Sequence, residues 1–212
     1  MKTLLAVLAH PDDESFIFGG TLAMHVRAGG KAGILCLTDG QAGRTGGLCS
    51  REELGRVRRE ELRRAVAVLG IPHLFTPGLM DGGLDAVGDE AGTRLVRGFI
   101  ERFGADVLYT FGPEGASGHA DHKACHRWTV AAAGGRPVYV MSWPVGVEMP
   151  RRAVPLPPTD VVDVSPLGDL VRRAFLEHKT QADHSDLNAQ ILKTLAGQEY
   201  YHRCTAYAPP SP

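Results

Sequence analysis

An apolar run that ends in an acidic cluster is the strongest constraint on the fold of this 212-residue chain. Residues 4–9 are uniformly apolar, and the sequence His-Pro-Asp-Asp-Glu follows at once at residues 10–14. Such a run predicts a buried strand, and polar residues directly after a parallel strand lie where these sheets bind ligands. Adjacent carboxylates repel one another unless a cation or several donors compensate them, which favours a metal ion. Capping of a helix N-terminus is the alternative explanation.

Length and charge limit the class of protein. The chain is long enough for one α/β domain over residues 1–212 with a substantial core. A formal net charge of -1 and a pI near 6.7 argue against a nucleic-acid partner. No membrane span or signal peptide is visible in the sequence, and the four scattered cysteines are interpreted as free thiols. We therefore expect a cytoplasmic protein without a membrane partner, and self-association into a homo-oligomer is left open.

Strands and helices alternate along the chain, which predicts an α/β fold with a mostly parallel sheet and right-handed crossovers. Strands are predicted at residues 3–9, 31–38, 73–76, 106–111, 137–143 and 161–164. Helices are predicted at residues 19–28, 50–69, 93–103, 122–133, 165–178 and 187–195. The glycine-rich residues 40–47 predict a loop that lies over the ligand crevice.

A second polar cluster, His119-x-Asp121-His122, follows the predicted strand at residues 106–111. Both clusters are expected at the same carboxyl edge of the sheet. Two histidines and an acid give the three-ligand open site that is typical of catalytic zinc. The same ligands suit non-haem iron, so Fe²⁺ and an oxygenase activity are an alternative. Helix capping and a solvated first-turn histidine are the alternatives without a metal.

These two motifs together resemble the signatures of the LmbE-like, or PIG-L, family of zinc-dependent N-deacetylases. They are Pro11-Asp12-Asp13-Glu14 behind His10, and Gly118-His119-Ala120-Asp121-His122. The resemblance extends over the order of elements from residue 2 to about residue 143 and is weaker afterwards. It implies a Rossmann-like three-layer fold with helices on both faces. It also implies a zinc hydrolase that removes the acetyl group from an N-acetylglucosaminyl conjugate, a small amino-sugar substrate, as in the synthesis of sugar-linked low-molecular-weight thiols.

The resemblance implies that His10, Asp13 and His122 bind the zinc ion and that Asp12 is the general base for its water. Adjacent residues of an extended loop point in opposite directions, which is consistent with different roles for the two aspartates. Loss of any one ligand is expected to remove metal and activity together. The Asp12→Asn variant is expected to keep the metal and lose turnover.

Supporting roles are expected for four further residues. His119 is expected to be protonated and to stabilise the oxyanion or protonate the leaving amine, with Asp121 orienting its ring. Glu14 is expected to bond a ligand or cap the next helix rather than bind the metal. Arg58 lies where related proteins often have an arginine that meets a substrate hydroxyl or phosphate, although a solvated basic helix face explains it more simply.

The C-terminal part of the pocket is less defined by the sequence. Family members often have a His-x-Ser-Gln pattern there, whereas residues 184–187 read His-Ser-Asp-Leu. His178, His184 and His202 are candidate pocket residues that surface exposure also explains. A zinc amidase for another acyl-amide substrate and a non-catalytic sugar-binding protein are alternative functions. A nucleotide-binding oxidoreductase is disfavoured because the acids at residues 10–14 would repel a pyrophosphate.

Overall fold

Seven strands form one sheet in the described part of the chain, residues 1–146, 154–182 and 197–204 of a computed structural model. The strands are β1 (Thr3–Leu8), β2 (Lys31–Cys36), β3 (His73–Phe75), β4 (Val107–Thr110), β5 (Val138–Ser142), β6 (Asp160–Asp163) and β7 (Gln198–Cys204). Their order across the sheet is β3-β2-β1-β4-β5-β7-β6. Strands β1 to β5 pair in parallel, and β7 is antiparallel to both of its neighbours. The predicted α/β class with a mostly parallel sheet is confirmed.

The helices form two packed groups. They are α1 (Asp13–Ile17), α2 (Gly19–Arg27), α3 (Leu54–Leu69), α4 (Leu84–Val87), α5 (Asp89–Phe103), α6 (Ala120–Ala132), α7 (Gly168–Leu176) and α8 (Lys179–Ala182). Helices α1, α2, α3 and α7 contact one another, as do α4, α5 and α6. The connections from β1 to β3 and from β3 to β5 step in opposite directions, so right-handed crossovers place the two groups on opposite faces. The sheet and its two helical layers are the predicted three-layer arrangement.

Several elements differ from the prediction. The short helices α1 and α4 and the strand β7 were not predicted, and α5 begins earlier than expected, at Asp89. The reciprocal bonds of the predicted capping box are present, because Glu53 N–H donates to Ser50 Oγ and Ser50 N–H donates to Glu53 Oε2. The predicted helix at residues 187–195 lies outside the described residues.

The sheet positions the candidate site at its centre. Strand β1 is buried from its second residue onward and lies between β2 and β4. The chain adds β2 and β3 on one side of β1 and then β4 and β5 on the other side. The carboxyl ends of β1 and β4 therefore border a crevice at the topological switch point. None of the described helices combines the length and apolarity that a bilayer crossing requires. The single-domain organisation and the cytoplasmic location stay predictions.

Candidate metal centre

The two polar clusters meet at the crevice between β1 and β4. His10 follows β1 directly, and Asp13 is the first residue of α1. His119 is the N-cap of α6, and His122 lies in the first turn of that helix. The acids after β1 therefore do begin a helix, but they also face the histidines of the second cluster.

Three side chains bring nitrogen and oxygen atoms together at the bottom of this crevice. His10 Nδ1 lies 3.2 Å from His122 Nε2, and Asp13 Oδ1 lies 3.4 Å from the same His122 nitrogen. Asp13 Oδ2 is 3.7 Å from His10 Nδ1 and accepts the His10 backbone N–H. A tetrahedral zinc ion with bonds of 2.0–2.2 Å separates its ligand atoms by about 3.4 Å. The two distances at His122 Nε2 match this value, and one Asp13 oxygen faces each histidine, so the donor set suits zinc.

The hydrogen bonds of the two rings leave the facing nitrogens free to bind a cation. His10 Nε2 lies 3.2 Å from Asp121 Oδ2 and 3.0 Å from Asp81 Oδ1, so it carries the proton that these carboxylates accept. His122 Nδ1 donates to the Gly115 carbonyl at 3.1 Å. The lone pairs of His10 Nδ1 and His122 Nε2 then face each other, which requires a proton or a metal ion between them.

Charge and burial shift the pKa values of His10 and Asp13 strongly. Burial alone would lower the pKa of His10, but hydrogen bonds to Asp121 and Asp81 and the charge of Asp13 outweigh it and raise the pKa to about 10. Burial opposes ionisation of Asp13, yet the neighbouring His122 and His10 lower its pKa to about 2. Asp13 is therefore held as a carboxylate, the form that binds a metal.

In the described residues, two triads have single ligand atoms that all lie within 4.8 Å of one another, and both contain His10 but not Asp13. The first adds His119 and His122, and the second adds Asp81 and Asp121. The second triad is explained by the proton on His10 Nε2, since carboxylates beside the outer nitrogen of a metal-binding histidine orient its ring.

Asp12 has an unusual backbone conformation beside this cluster. Its φ of 111° and ψ of -28° are left-handed, a region that typically costs a non-glycine residue about 1–3 kcal/mol. Its Oδ2 lies 3.2 Å from Nη2 of Arg58. Burial raises the pKa of Asp12 to about 6, although the positive charge of Arg58 opposes the shift. Asp12 is thus a carboxylate with increased basicity at the edge of the crevice.

His119 and Asp121 are arranged differently from the expectation. The Asp121 carboxylate accepts from Gly82 N–H at 2.7 Å, from Leu84 N–H at 3.2 Å and from His10, while only its backbone N–H donates to His119 Nδ1. The cause is the helix start, where the N-cap ring accepts a first-turn amide. Burial and the charges of His10 and His122 lower the pKa of His119. The structure therefore favours a neutral His119 whose Nε2 carries the proton.

A cavity of about 280 Å³ opens above these groups. It is lined by His10, Asp12, Ala42, Gly43, Arg58, Asp81, Gly82 and His119. The residues from the glycine-rich loop place that loop over the crevice, as predicted. Arg58 is not part of a solvated helix face, because it is only 3% exposed and donates to the carbonyls of Gly40 and Pro11.

Sequence reasoning missed one residue near the site. Asp81 lies in the turn after β3, and the rule that polar residues after parallel strands share one edge could have found it. His178 was a candidate pocket residue with surface exposure as the alternative; it has no exposed surface, and its Nε2 lies 2.6 Å from Glu14 Oε1. Glu14 Oε2 accepts the Asp12 N–H, so Glu14 supports the loop, as its expected indirect role requires.

A variant of the C-terminal His-x-Ser-Gln pattern occurs just before residues 184–187. Residues 178–181 read His-Lys-Thr-Gln, with threonine in place of serine. Gln181 Nε2 donates to the Arg44 carbonyl of the glycine-rich loop at 2.7 Å. His202 is half-buried on β7, where Nδ1 lies 2.8 Å from the Pro157 carbonyl, and His184 lies outside the described residues.

Comparisons with known proteins agree with the motifs. A "1D-myo-inositol 2-acetamido-2-deoxy-alpha-D-glucopyranoside deacetylase" of Mycobacterium sp. (strain KMS) is 36% identical over 152 residues, which are 61% of this chain and 49% of that protein. The chain thus spans about half the length of this relative. A "Probable N-acetyl-alpha-D-glucosaminyl L-malate deacetylase 2" of Bacillus cereus is 29% identical over 197 residues, 90% of this chain and 89% of that one.

One solved structure shares the fold of this chain, and a family profile matches its sequence. The structure of an N,N'-diacetylchitobiose deacetylase from Pyrococcus horikoshii superposes with a TM-score of 0.81 at 20% identity, covering 97% of this chain and 84% of that one. The profile described as "PIG-L: GlcNAc-PI de-N-acetylase" matches residues 5–133, which contain both polar clusters and more than half of the chain. The chain belongs to the PIG-L family.

Proposed function

We propose that this protein is a zinc-dependent hydrolase that removes the acetyl group from an N-acetylglucosaminyl conjugate. The observation that carries the proposal is the convergence of His10 Nδ1, His122 Nε2 and the Asp13 carboxylate below a polar cavity. Family membership and the deacetylase names of the relatives support the reaction class.

His10, Asp13 and His122 are the residues that would hold the ion. When bound there, zinc supplies Lewis-acid polarisation and lowers the pKa of its water toward neutrality. The protein contributes the orientation of both rings through the partners of His10 Nε2 and His122 Nδ1. Zinc is preferred over Fe²⁺ in this proposal because of the family and because the donor spacing fits a tetrahedral ion.

Asp12 and His119 are proposed to move the protons. Asp12 lines the cavity, and its raised pKa suits a general base that takes a proton from the attacking water. His119 also lines the cavity and keeps a proton on Nε2, because its Nδ1 accepts the Asp121 N–H. That N–H can donate to the developing oxyanion. The role of Asp121 in this proposal is to orient His10.

The polar walls of the cavity favour a sugar as the substrate. Arg58 Nη1 offers the one N–H that is not bonded to the Gly40 carbonyl, and Asp81 offers carboxylate oxygens to sugar hydroxyls. The relatives differ in what their printed names attach to the glucosamine, inositol in one case and malate in the other. The group attached to the sugar is therefore left to the experiment, as is the proposed step in thiol synthesis.

Acetate release from zinc-loaded protein tests the proposal. The substrates are the N-acetylglucosaminyl conjugates of inositol and L-malate and N,N'-diacetylchitobiose. Release is expected from at least one of them, with the His122→Ala variant losing zinc and activity together. The Asp12→Asn variant is expected to bind zinc and to lose about 10²-fold or more in kcat. Sugar binding without acetate release, at full zinc occupancy, would contradict the hydrolase and support a non-catalytic sugar-binding protein.

A further inference from the structure

His178 and Glu14 form a buried pair directly behind Asp12. Both side chains have no exposed surface, and His178 Nε2 lies 2.6 Å from Glu14 Oε1. His178 follows α7 and is 164 positions away from Glu14 in the sequence. The pair therefore connects the C-terminal part of the chain to the loop that carries the candidate metal ligands.

Glu14 extends this contact to the backbone of Asp12. Its second oxygen, Oε2, accepts the Asp12 N–H at 3.0 Å, and Oε1 also accepts the Ser15 hydroxyl at 2.6 Å. Each oxygen of the carboxylate thus has its own donors. Rotation of Glu14 away from His178 would break the bond to the Asp12 amide.

Asp12 depends on such support because of its backbone. A non-glycine residue keeps a left-handed conformation such as its φ of 111° only where the surroundings over-determine it. In this conformation the Asp12 carboxylate lines the cavity and reaches Arg58. Relaxation of the Asp12 peptide would turn the carboxylate out of this position.

We propose that His178 is a positioning residue, which acts through Glu14 to hold the Asp12 peptide in the conformation that directs its carboxylate into the cavity. The inference rests on the proposed function, in which Asp12 is the base. Removal of one partner from a fully buried pair leaves the other polar group without its partner, so loss of His178 is also expected to destabilise the fold. The positioning role is therefore tested by the geometry of Asp12 and not by stability.

The His178→Ala and His178→Gln variants test this proposal. His178→Ala is expected to lower kcat by about tenfold or more, with KM and the zinc affinity measured by chelator competition unchanged. Exchange of the Asp12 amide hydrogen, followed by NMR, is expected to accelerate because Glu14 loses its orienting partner. The glutamine amide can place an N–H near the position of Nε2, so His178→Gln is expected to restore part of both properties and serves if the alanine variant does not fold.

Glu177→Gln is the matched control in the same segment. Glu177 directly precedes His178, and its Oε2 accepts from Arg64 Nε at 3.0 Å. This variant is expected to keep kcat and the Asp12 exchange rate. Unchanged Asp12 exchange in His178→Ala, equal changes in Glu177→Gln, or a loss of kcat that follows loss of zinc would each overturn the proposal. If the wild-type protein releases no acetate, the proposed function fails, whereas faster Asp12 exchange in His178→Ala alone still supports positioning.

Discussion

His10 contacts two sets of groups, one through each ring nitrogen, and the two nitrogens need different protonation states. Its Nδ1 faces His122 and Asp13, and its Nε2 faces the carboxylates of Asp81 and Asp121. The carboxylates fix which nitrogen carries the proton, and this leaves the lone pair of the other nitrogen available to a cation. The acids around His10 therefore have two different functions, although they are the same type of residue in the sequence.

The Asp121→Asn substitution is expected to weaken zinc binding by about 10–100-fold. The Asp121 oxygens accept from His10 Nε2 and from the amides of Gly82 and Leu84. An asparagine amide group would turn an N–H toward one of these donors and displace the His10 ring. Zinc affinity of the purified variant, measured by competition with a chelator, checks this expectation.

Asp85→Asn is the control for Asp121→Asn. Asp85 is exposed and pairs with Arg127 on the surface, so its replacement is expected to leave the zinc affinity at the wild-type value. Wild-type zinc affinity in Asp121→Asn as well would mean that the carboxylate does not orient His10.

Helices α5 and α6 pack closely because α5 has a glycine where α6 has a tryptophan. A Cβ atom added at Gly92 would lie 2.1 Å from the Cδ2 and Cε2 atoms of the Trp128 ring. Trp128 is fully buried, and its Nε1 donates to Asp89 Oδ1. The ring therefore has no room to move away, and α6, which carries His122, is held by this contact.

Gly92→Ala is expected to destabilise the protein by about 1–3 kcal/mol because it overpacks this contact. Gly98 lies on the same helix, and a Cβ atom there meets nothing within 4 Å. Gly98→Ala is expected to stabilise the protein by about 0.5–1 kcal/mol through its higher helix propensity. Urea unfolding of both variants measures the two changes, and equal effects would show that the Trp128 contact does not limit the position.

The position of the candidate metal site could be predicted from the sequence, but the partners of its residues could not. His10 and His122 follow apolar strands, and the rule for parallel sheets places both at one edge. Arg58 lies in an arginine-rich part of α3. Only the packing of this helix against the loop at residue 40 shows that Arg58 is buried while the neighbouring arginines are not. Strand β7 was missed because its buried face contains a charged residue, Glu199, which breaks the apolar alternation of a strand.

Glu199 connects the end of the described chain to its beginning. It lies on β7, is 5% exposed, and accepts from the first amides of α2, Gly20 N–H at 2.8 Å and Thr21 N–H at 2.9 Å. Gly20 and Glu199 are 179 positions apart. Tyr201 also donates its hydroxyl to Glu199, at 2.7 Å. One carboxyl group thus caps α2 and fixes the antiparallel strand against the parallel part of the fold.

The stability that this carboxyl group contributes is expected to fall as the pH rises. Burial raises the pKa of Glu199 above its ordinary value of 4.5, despite the bonds from Thr21 and Tyr201. Below pH 4.5 the group is protonated in the folded and unfolded states, and its contribution is fully present. As the pH rises through the raised folded pKa, the unfolded state ionises more readily, and the contribution declines.

The Glu199→Gln variant has no proton to lose at this position. The difference in Tm between wild type and Glu199→Gln is therefore expected to be smaller at neutral pH than below pH 4.5, and this difference cancels the titration of the other carboxylates. A difference that grows with pH would mean that the amides of α2 and the Tyr201 hydroxyl hold Glu199 ionised in the fold, with the helix cap outweighing the burial.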